Sequence, residues 1–254
     1  MVKSYLLDTH CHLDEYPDPR AVVRSLDGTQ VAAVAMTALP SGFERLRSLL
    51  GGERLWRLAL GVHPLAARSL TDREWRLFAK YLPETGFVGE VGLDFSPEGV
   101  GSRMTQENAF HRVLQAISGQ GKIVSVHSRR AEAAVVAALD EHRMSPVIFH
   151  WYSGSLRTLE HVVQGGHYFS INPAMVRGAQ GQKIVERIPR ERILAETDGP
   201  FVRVGSRAAV PTDAMDVYQH LAKAWRQPLQ ETIDAVYANY QLLRASLQKE
   251  GTRG

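Results

Sequence analysis

Two histidines at the end of an apolar run are the first residues of this chain whose types and spacing could do chemistry. The run Tyr5-Leu6-Leu7 leads through Asp8 into His10-Cys11-His12. Side chains alternate between the two faces of a β-strand, so His10 and His12 point to one side and Cys11 to the other. Two imidazoles about 7 Å apart along one face can hold one metal ion. The spacing predicts a metal site at the end of the first strand.

Further metal-capable side chains follow later short apolar runs. They are His63 in Gly61-Val62-His63-Pro64, Glu90 and Asp94 in Gly89-Glu90-Val91-Gly92-Leu93-Asp94, His127, His150 and Asp198. Burying that many polar groups without partners would cost several kcal/mol, and a metal centre supplies the partners. The other five histidines fall in helices or loop edges and are expected to be surface or packing residues: His111, His142, His161, His167 and His220.

The number of candidate ligands predicts more than one ion. Four histidines and two carboxylates exceed what one tetrahedral ion needs; they are His10, His12, His127, His150, Glu90 and Asp198. We expect two divalent ions with Glu90 as the bridge. Mixed imidazole and carboxylate donors suit Zn, Mn, Co or Ni and tolerate Mg, and the sequence does not choose among them. Such a pair can hold a hydroxide and stabilise the entering and leaving oxygens of phosphoryl transfer. Asp198 is the candidate general base and Glu90 the bridging ligand.

The elements that must position these residues alternate regularly between strand and helix. Strands are predicted at 4–10, 31–37, 55–62, 86–92, 122–127, 146–151, 167–172 and 192–197. Helices are predicted at 43–50, 72–82, 107–118, 130–142, 156–164, 182–188, 213–225 and 229–247. Eight such units in 254 residues are typical of an α/β (β/α)₈ TIM barrel, here a single domain over residues 1–254. An open doubly wound sheet is the alternative. A barrel predicts that the functional residues cluster at the carboxyl ends of the strands.

Composition favours a globular protein outside the membrane. The chain is 44% hydrophobic and 22% charged, and no apolar run approaches the roughly 20 residues of a membrane span. The first residues lack the basic, apolar and small-residue series of a signal peptide. The single cysteine, Cys11, excludes an internal disulfide and fits a reducing compartment, so a cytoplasmic location is expected. The formal charge of +3 does not by itself indicate a polyanionic partner.

Arginines and aromatic residues that follow the ligand strands favour a nucleic acid as substrate. Guanidinium groups suit phosphate oxygens, and aromatic rings can stack on bases. On a barrel these side chains would surround the mouth, and they are Arg129, Arg130, Arg177, Arg203 and Arg207 together with Phe95, Trp151, Tyr152 and Phe201. We therefore expect DNA, or else RNA, as the partner of the site.

Six motifs in order resemble the TatD family of metal-dependent deoxyribonucleases, in the amidohydrolase superfamily. They are Asp8-Thr9-His10-Cys11-His12-Leu13-Asp14, the Gly61 and Gly89 motifs given above, Val126-His127-Ser128-Arg129, His150-Trp151-Tyr152-Ser153-Gly154-Ser155 and Glu196-Thr197-Asp198-Gly199-Pro200-Phe201. The resemblance implies a TIM barrel that hydrolyses DNA phosphodiester bonds, often as a 3′-to-5′ exonuclease on single strands. It assigns the six ligands above to metal and Asp198 to the base. It places His63 by the scissile phosphate or a further metal, with Asp94 and Ser153 lining the site.

Departures from the family pattern concern the substrate side and not the metal ligands. Arg130 stands where the family usually has an acidic residue, residues 202–211 lack its Asn-Glu pair, and the C-terminal pattern is met only loosely at Asn239.

TatD-like proteins also occur in multi-gene anti-phage systems such as the Qat type, so a metal-loaded, partner-binding role in defence is one alternative. A hydrolase of a small cyclic amide, lactone or phosphoester is another. Many such enzymes bridge their metals with a modified lysine, whereas this chain has Glu90 there and its nearest lysine is Lys80.

Overall fold

Short parallel strands form the centre of the molecule. The computed structural model describes the backbone of residues 4–251 and the side chains of residues 4–247. The strands are β1 (Leu6–Cys11), β2 (Val31–Ala35), β3 (Trp56–Leu58), β4 (Leu60–Val62), β5 (Phe87–Gly92), β6 (Ile123–His127), β7 (Ile148–His150), β8 (Tyr168–Ile171) and β9 (Ile193–Ala195). A small antiparallel hairpin follows, made of β10 (Arg203–Val204) and β11 (Arg207–Ala208). All eight predicted strands are present. Neighbouring strands pair in sequence order, as in an α/β barrel and unlike a doubly wound sheet.

The third barrel strand is broken into two segments. One run of hydrogen-bonded strands has the order β1-β2-β3, and the other has the order β4-β5-β6-β7-β8-β9. Ala59 lies between β3 and β4, and its N–H donates to Ala35 O at 2.9 Å. The prediction of one continuous strand over 55–62 is therefore corrected to two segments, of which β3 pairs with β2 and β4 pairs with β5.

Individual hydrogen bonds, and not a strand ladder, join the first and last strands. Within residues 4–251 no ladder connects β9 to β1. Instead the Thr9 hydroxyl donates to Ala195 O at 3.1 Å, and the Asp198 N–H donates to His10 O at 2.9 Å. The ends of β1 and β9 are thus held together next to the residues with metal-binding potential.

Helices cover the outside of the strands. They are α1 (Pro19–Arg24), α2 (Pro40–Leu49), α3 (Asp72–Tyr81), α4 (Arg103–Ile117), α5 (Glu132–Glu141), α6 (Leu156–Gln164), α7 (Pro173–Arg177), α8 (Ala179–Val185), α9 (Met215–Trp225) and α10 (Leu229–Gly251). Thr71 caps α3, because its hydroxyl accepts the Glu74 N–H. The sequence pattern missed α1 and α7, which have only six and five residues. Among the described residues no helix combines the length and apolar character needed to cross a bilayer.

Two apolar layers support the barrel. The larger lies between the strands and the surrounding helices and includes Cys11, Phe110 and Val135. The smaller fills the interior at the amino ends of the strands, where Leu243 and Leu247 of α10 pack against Ile123. The C-terminal helix therefore closes one end of the barrel, and the polar residues with metal-binding potential lie at the other.

Candidate metal centre

His10 and His12 project into the barrel from the end of β1. Their Nε2 atoms lie 3.1 Å apart, and both side chains are almost fully buried. Cys11 lies on the opposite face, where its thiol is 3.6 Å from Val34 O within the outer apolar layer. The alternation that the sequence predicts is therefore present, and Cys11 is a packing residue.

The two carboxylate oxygens of Glu90 face different histidines. Oε2 lies 3.1 Å from His12 Nε2, 3.5 Å from His10 Nε2 and 3.4 Å from His63 Nε2. Oε1 lies 2.5 Å from His127 Nδ1 and 2.7 Å from His150 Nε2. Glu90 therefore connects histidines of four different strand ends, which is the geometry that a bridging carboxylate requires.

A glycine beside Glu90 allows strands β5 and β6 to approach closely. Gly92 has a φ of +136°, and a Cβ there would lie 2.1 Å from His127 O. No larger residue fits without moving the backbone that carries His127. The second glycine of the Gly89–Asp94 motif thus sets the distance between Glu90 and His127.

Asp198 completes the inner group from the segment after β9. Its Oδ1 lies 3.5 Å from His12 Nε2 and 3.7 Å from His10 Nε2. The residue has a φ of +50°, a left-handed conformation that is unfavourable for a non-glycine residue. The hydrogen bond from the Asp198 N–H to His10 O holds this conformation and directs the carboxylate to the histidines of β1.

Side chains within hydrogen-bond distance lie behind two of the histidines, and a carboxylate lies just beyond that distance from a third. His10 Nδ1 lies 2.8 Å from Ser125 Oγ, and His127 Nε2 lies 2.8 Å from Asp94 Oδ2. His150 Nδ1 faces Glu196 Oε1 at 3.6 Å. Such outer partners fix the ring orientation and raise the basicity of a metal-binding imidazole. Asp94 is fully buried and contacts His127, so its position is that of an orienting group.

Glu196 is a positioning residue whose role the sequence analysis missed. Its carboxylate accepts hydrogen bonds from the Trp151 N–H at 3.1 Å, from Asn172 Nδ2 at 3.1 Å and from the Ser170 hydroxyl. It therefore ties the ends of β7, β8 and β9 together beneath His150. Ser125 was also missed. Their spacing could have indicated both residues. Ser125 lies two positions before His127, and Glu196 lies two positions before Asp198.

The charges of the site favour a bound cation. Burial by itself raises the pKa of the Glu90 carboxyl, but the imidazoles of His63, His150 and His127 outweigh it and hold that pKa well below its usual range. Burial lowers the pKa of His12, whereas Asp198 and Glu90 raise it more strongly, to about 10. Buried carboxylates thus attract positive charge, and a divalent cation can displace the imidazole protons.

The donor set fits divalent metal ions. Ligand atoms of His10, His12 and Asp198 all lie within 4.8 Å of one another, and the same holds for His63, Glu90 and His127. His10, His150 and Glu196 form a third overlapping group. Buried imidazole and carboxylate donors are those of Zn, Mn, Co and Ni sites. All six ligands predicted from the sequence are brought together.

The predicted substrate contacts are arranged less uniformly. His63 is partly exposed at the edge of the site, with Nδ1 accepting the Leu65 N–H at 3.1 Å. Trp151 is 38% exposed, and Ser153 is also exposed. Phe201 is exposed as well and meets the His12 ring edge-on, with 5.0 Å between centroids. These side chains are accessible at the carboxyl end of the barrel.

Other predicted contacts are engaged within the protein. Tyr152 is buried, and its hydroxyl donates to Ser155 O at 2.8 Å, so the structure does not present it for stacking on a base. Arg207 forms a two-bond ion pair with Asp213, at 2.5 and 2.7 Å, and the Arg203 guanidinium donates to Ser206 O. Arg129 lies 3.6 Å from Glu98 on the surface, a contact that a phosphate can replace.

Similarity to known proteins agrees with this geometry. A family model described as TatD related DNase matches residues 7–244. The chain belongs to the TatD family. This TatD protein is 30% identical to deoxyribonuclease TATDN3 of Homo sapiens over 269 residues, covering 96% of this chain and 97% of the relative. It is also 30% identical to the metal-dependent hydrolase YcfH of Escherichia coli K12 over 215 residues, covering 78% of each chain.

Solved structures show the same fold. The E. coli TatD homologue YjjV superposes with a TM-score of 0.84 at 24% identity, covering 94% of this chain and 97% of YjjV. A TatD-family hydrolase from Entamoeba histolytica gives a TM-score of 0.80 at 14% identity, covering 96% and 99%. The TatD barrel described above is therefore shared with both.

Proposed function

We propose that this TatD protein is a deoxyribonuclease that uses two divalent metal ions to hydrolyse DNA phosphodiester bonds, as an exonuclease that prefers single strands. One observation carries the proposal: the two oxygens of Glu90 face separate histidine groups, His10 and His12 on one side and His127 and His150 on the other. A single ion would not need both histidine groups. The names of the relatives, a deoxyribonuclease and a metal-dependent hydrolase, support the same chemistry.

The site residues divide into holding and reacting groups. His10, His12 and Asp198 would hold one ion and His127 and His150 the other, with Glu90 shared. Bound divalent ions supply Lewis-acid charge for activating water and stabilising phosphate oxygens. Asp198 would accept the proton of the attacking water. The hydrogen bond from its N–H to His10 O, which fixes its backbone, supports this role. His63, at the accessible edge of the site, orients the scissile phosphate.

The accessible aromatic side chains account for the expected preference for single strands. Trp151 and Phe201 are exposed beside the metal centre, and unpaired bases can stack on such rings. Arg129 and Ser153 would donate to phosphate oxygens, and Arg203 would do so by exchanging its bond to Ser206 O for one to phosphate. A paired duplex keeps its bases stacked inside, so these rings favour a frayed end or a single strand.

The hydrolysis of a small cyclic amide, lactone or phosphoester is less well supported. Lys80 does not approach the centre, because its Nζ contacts the Tyr81 hydroxyl at 2.8 Å on α3. The bridging position is filled by Glu90. A cytoplasmic location and a role with partner proteins in anti-phage defence remain predictions from the sequence.

End-labelled oligonucleotides test the proposal directly. Protein loaded with Zn, Mn, Co, Ni or Mg is incubated with single-stranded DNA, duplex DNA and RNA of one sequence. We expect stepwise release of mononucleotides from single-stranded DNA, abolished by a chelator and restored by adding metal. Intact oligonucleotides at high protein concentration with every metal would overturn the assignment.

A further inference from the structure

A cavity of about 380 Å³ lies at the end of the barrel opposite the metal centre. Its walls include Leu7 near the start of β1, Phe87 at the start of β5 and Ile123 at the start of β6, and α10 covers one side. Phe87 precedes Glu90 by three residues, so the cavity lies about 10 Å from the centre along that strand. It therefore plays no part in holding the predicted metals.

Three arginines give this cavity a positive lining. Arg54 and Arg57 come from the chain at β3, and Arg244 comes from α10. All three are exposed, and none forms an ion pair with a carboxylate of the described residues. Arg57 Nη1 donates to Arg54 O at 3.1 Å and to Trp56 O at 2.7 Å. These bonds hold one guanidinium at the edge of the cavity while leaving its other donors available.

The acidic residue of the cavity does not neutralise these arginines. Asp8 is fully buried, and both of its carboxylate oxygens accept hydrogen bonds from Thr197. The described lining contains no other carboxylate. The cavity therefore has an excess of cationic donors and is suited to an anion.

Three tyrosines add aromatic surface to the same cavity. The rings of Tyr5 and Tyr237 lie with centroids 6.1 Å apart, and the Arg244 guanidinium lies 5.8 Å from the centre of the Tyr240 ring. Burial raises the pKa of Tyr240, while Arg244 and Arg57 oppose that change, which places both charges beside this ring. A ligand with an aromatic group as well as an anionic group would use both features.

We propose that this cavity is a second binding site that takes a nucleoside monophosphate, its phosphate held by Arg57 and Arg244 and its base packed among the tyrosines. The cavity lies within the roughly 300–1,000 Å³ of small-ligand sites. Ile123 and Leu247 of the inner apolar layer line it, and its volume suits one nucleotide better than a continuous strand. The choice of a nucleotide rests on the proposed function, because a deoxyribonuclease releases this class of product.

Calorimetry with deoxyadenosine 5′-monophosphate tests the site on the metal-loaded full chain. The double variant Arg57→Gln/Arg244→Gln is expected to lose a binding component, with affinity reduced at least tenfold. Arg157→Gln, an exposed arginine on α6, should bind as the wild type does. No binding at millimolar nucleotide, or equal binding by the double variant, would overturn the inference. Inorganic phosphate binding as tightly as the nucleotide would overturn the role of the tyrosines.

Photo-crosslinking of the wild type gives a result that does not depend on the variant folding. 8-Azidodeoxyadenosine monophosphate should label peptides from β3 or from residues 237–247, and excess unlabelled nucleotide should prevent it. Labelling confined to the metal centre would refute a second site. Nuclease activity without labelling of these peptides refutes this inference alone, whereas labelling in an inactive protein refutes only the proposed function.

Discussion

Asp8 accepts two hydrogen bonds from Thr197, one from its N–H at 2.9 Å and one from its hydroxyl at 2.5 Å. Asp8 lies in the first strand, β1, and Thr197 follows the last strand of the barrel, β9. This contact replaces part of the strand ladder that is missing between β1 and β9. It also fixes the segment immediately before Asp198, so the closure of the barrel and the assembly of the metal centre depend on the same carboxylate.

Substituting Asp8→Ala should destabilise the protein because the buried Thr197 N–H and hydroxyl lose their acceptor. We expect a loss of about 3 kcal/mol in the free energy of unfolding, measured by urea denaturation. Asp27→Ala, at an exposed position after α1, is the control and should change stability by less than about 0.5 kcal/mol. Equal stability of the two variants would show that the Asp8–Thr197 contact does not hold the barrel together.

Ser125→Ala should weaken metal binding without removing a ligand. The Ser125 hydroxyl is 2.8 Å from His10 Nδ1, and loss of such an outer partner typically lowers metal affinity by about 10- to 100-fold. Competition against a coloured chelator measures the effect. Ser48→Ala on the exposed side of α2 serves as the control. If both variants bind metal as tightly as the wild type, Ser125 does not orient His10.

The buried His167 should make stability fall in mild acid. Burial lowers the pKa of His167 from 6.5 to about 4, and its Nδ1 accepts the Val147 N–H at 3.2 Å. Between these two pKa values the unfolded chain binds a proton that the folded chain does not. The titration of His167 therefore leaves the free energy of unfolding unchanged above pH 6.5. The free energy of unfolding falls as the pH is lowered towards 4, by about 2 kcal/mol at pH 5.

His167→Asn keeps an acceptor for the Val147 N–H but removes the titrating ring. The difference in unfolding free energy between pH 7 and pH 5 should therefore be about 2 kcal/mol smaller in this variant than in the wild type. His161→Asn on the exposed side of α6 should keep the wild-type difference. The same pH dependence in all three proteins would mean that His167 is protonated in the folded state.

Trp151→Ala should weaken substrate binding selectively. The Trp151 ring is exposed at the carboxyl end of the barrel, and stacking on one base contributes about 1–3 kcal/mol. We expect KM for single-stranded DNA to rise about tenfold, with the metal content unchanged. Tyr152→Phe should leave KM unchanged, because the Tyr152 ring is buried and its hydroxyl contacts Ser155 O. A KM raised by Tyr152→Phe but unchanged by Trp151→Ala would show that the Tyr152 hydroxyl, and not the Trp151 ring, contributes to substrate binding.

Residue spacing was enough to predict the barrel and the histidines that the structure brings together at its carboxyl end. Buried parallel strands are continuous apolar runs, and a ligand that ends such a run lies at one end of the barrel whatever the details of packing. His10 and His12 also follow the two-residue period of a strand. These regularities are local in the sequence, and every strand lies where they predict except that the third is divided into β3 and β4.

The remaining features depend on contacts between distant segments. The break at Ala59 coincides with a change of partner strand, from β2 for β3 to β5 for β4. The orienting role of Glu196 depends on the ends of β7 and β8. Trp151 and Tyr152 are adjacent, yet one is exposed and the other buried, and Trp151 lies in a turn with a φ of +37°. A strand period does not continue through such a turn, so the sequence could not assign their orientations.

Two metal ions held around Glu90 are proposed to produce the nuclease activity. Metal-free protein titrated with Mn²⁺ tests it most directly, with bound metal and nucleotide release from single-stranded DNA measured in the same samples. We expect activity to rise until about two equivalents are bound, and Glu90→Gln to lose both metal and activity. Full activity of Glu90→Gln, or nucleotide release that persists in metal-free protein, would contradict the account.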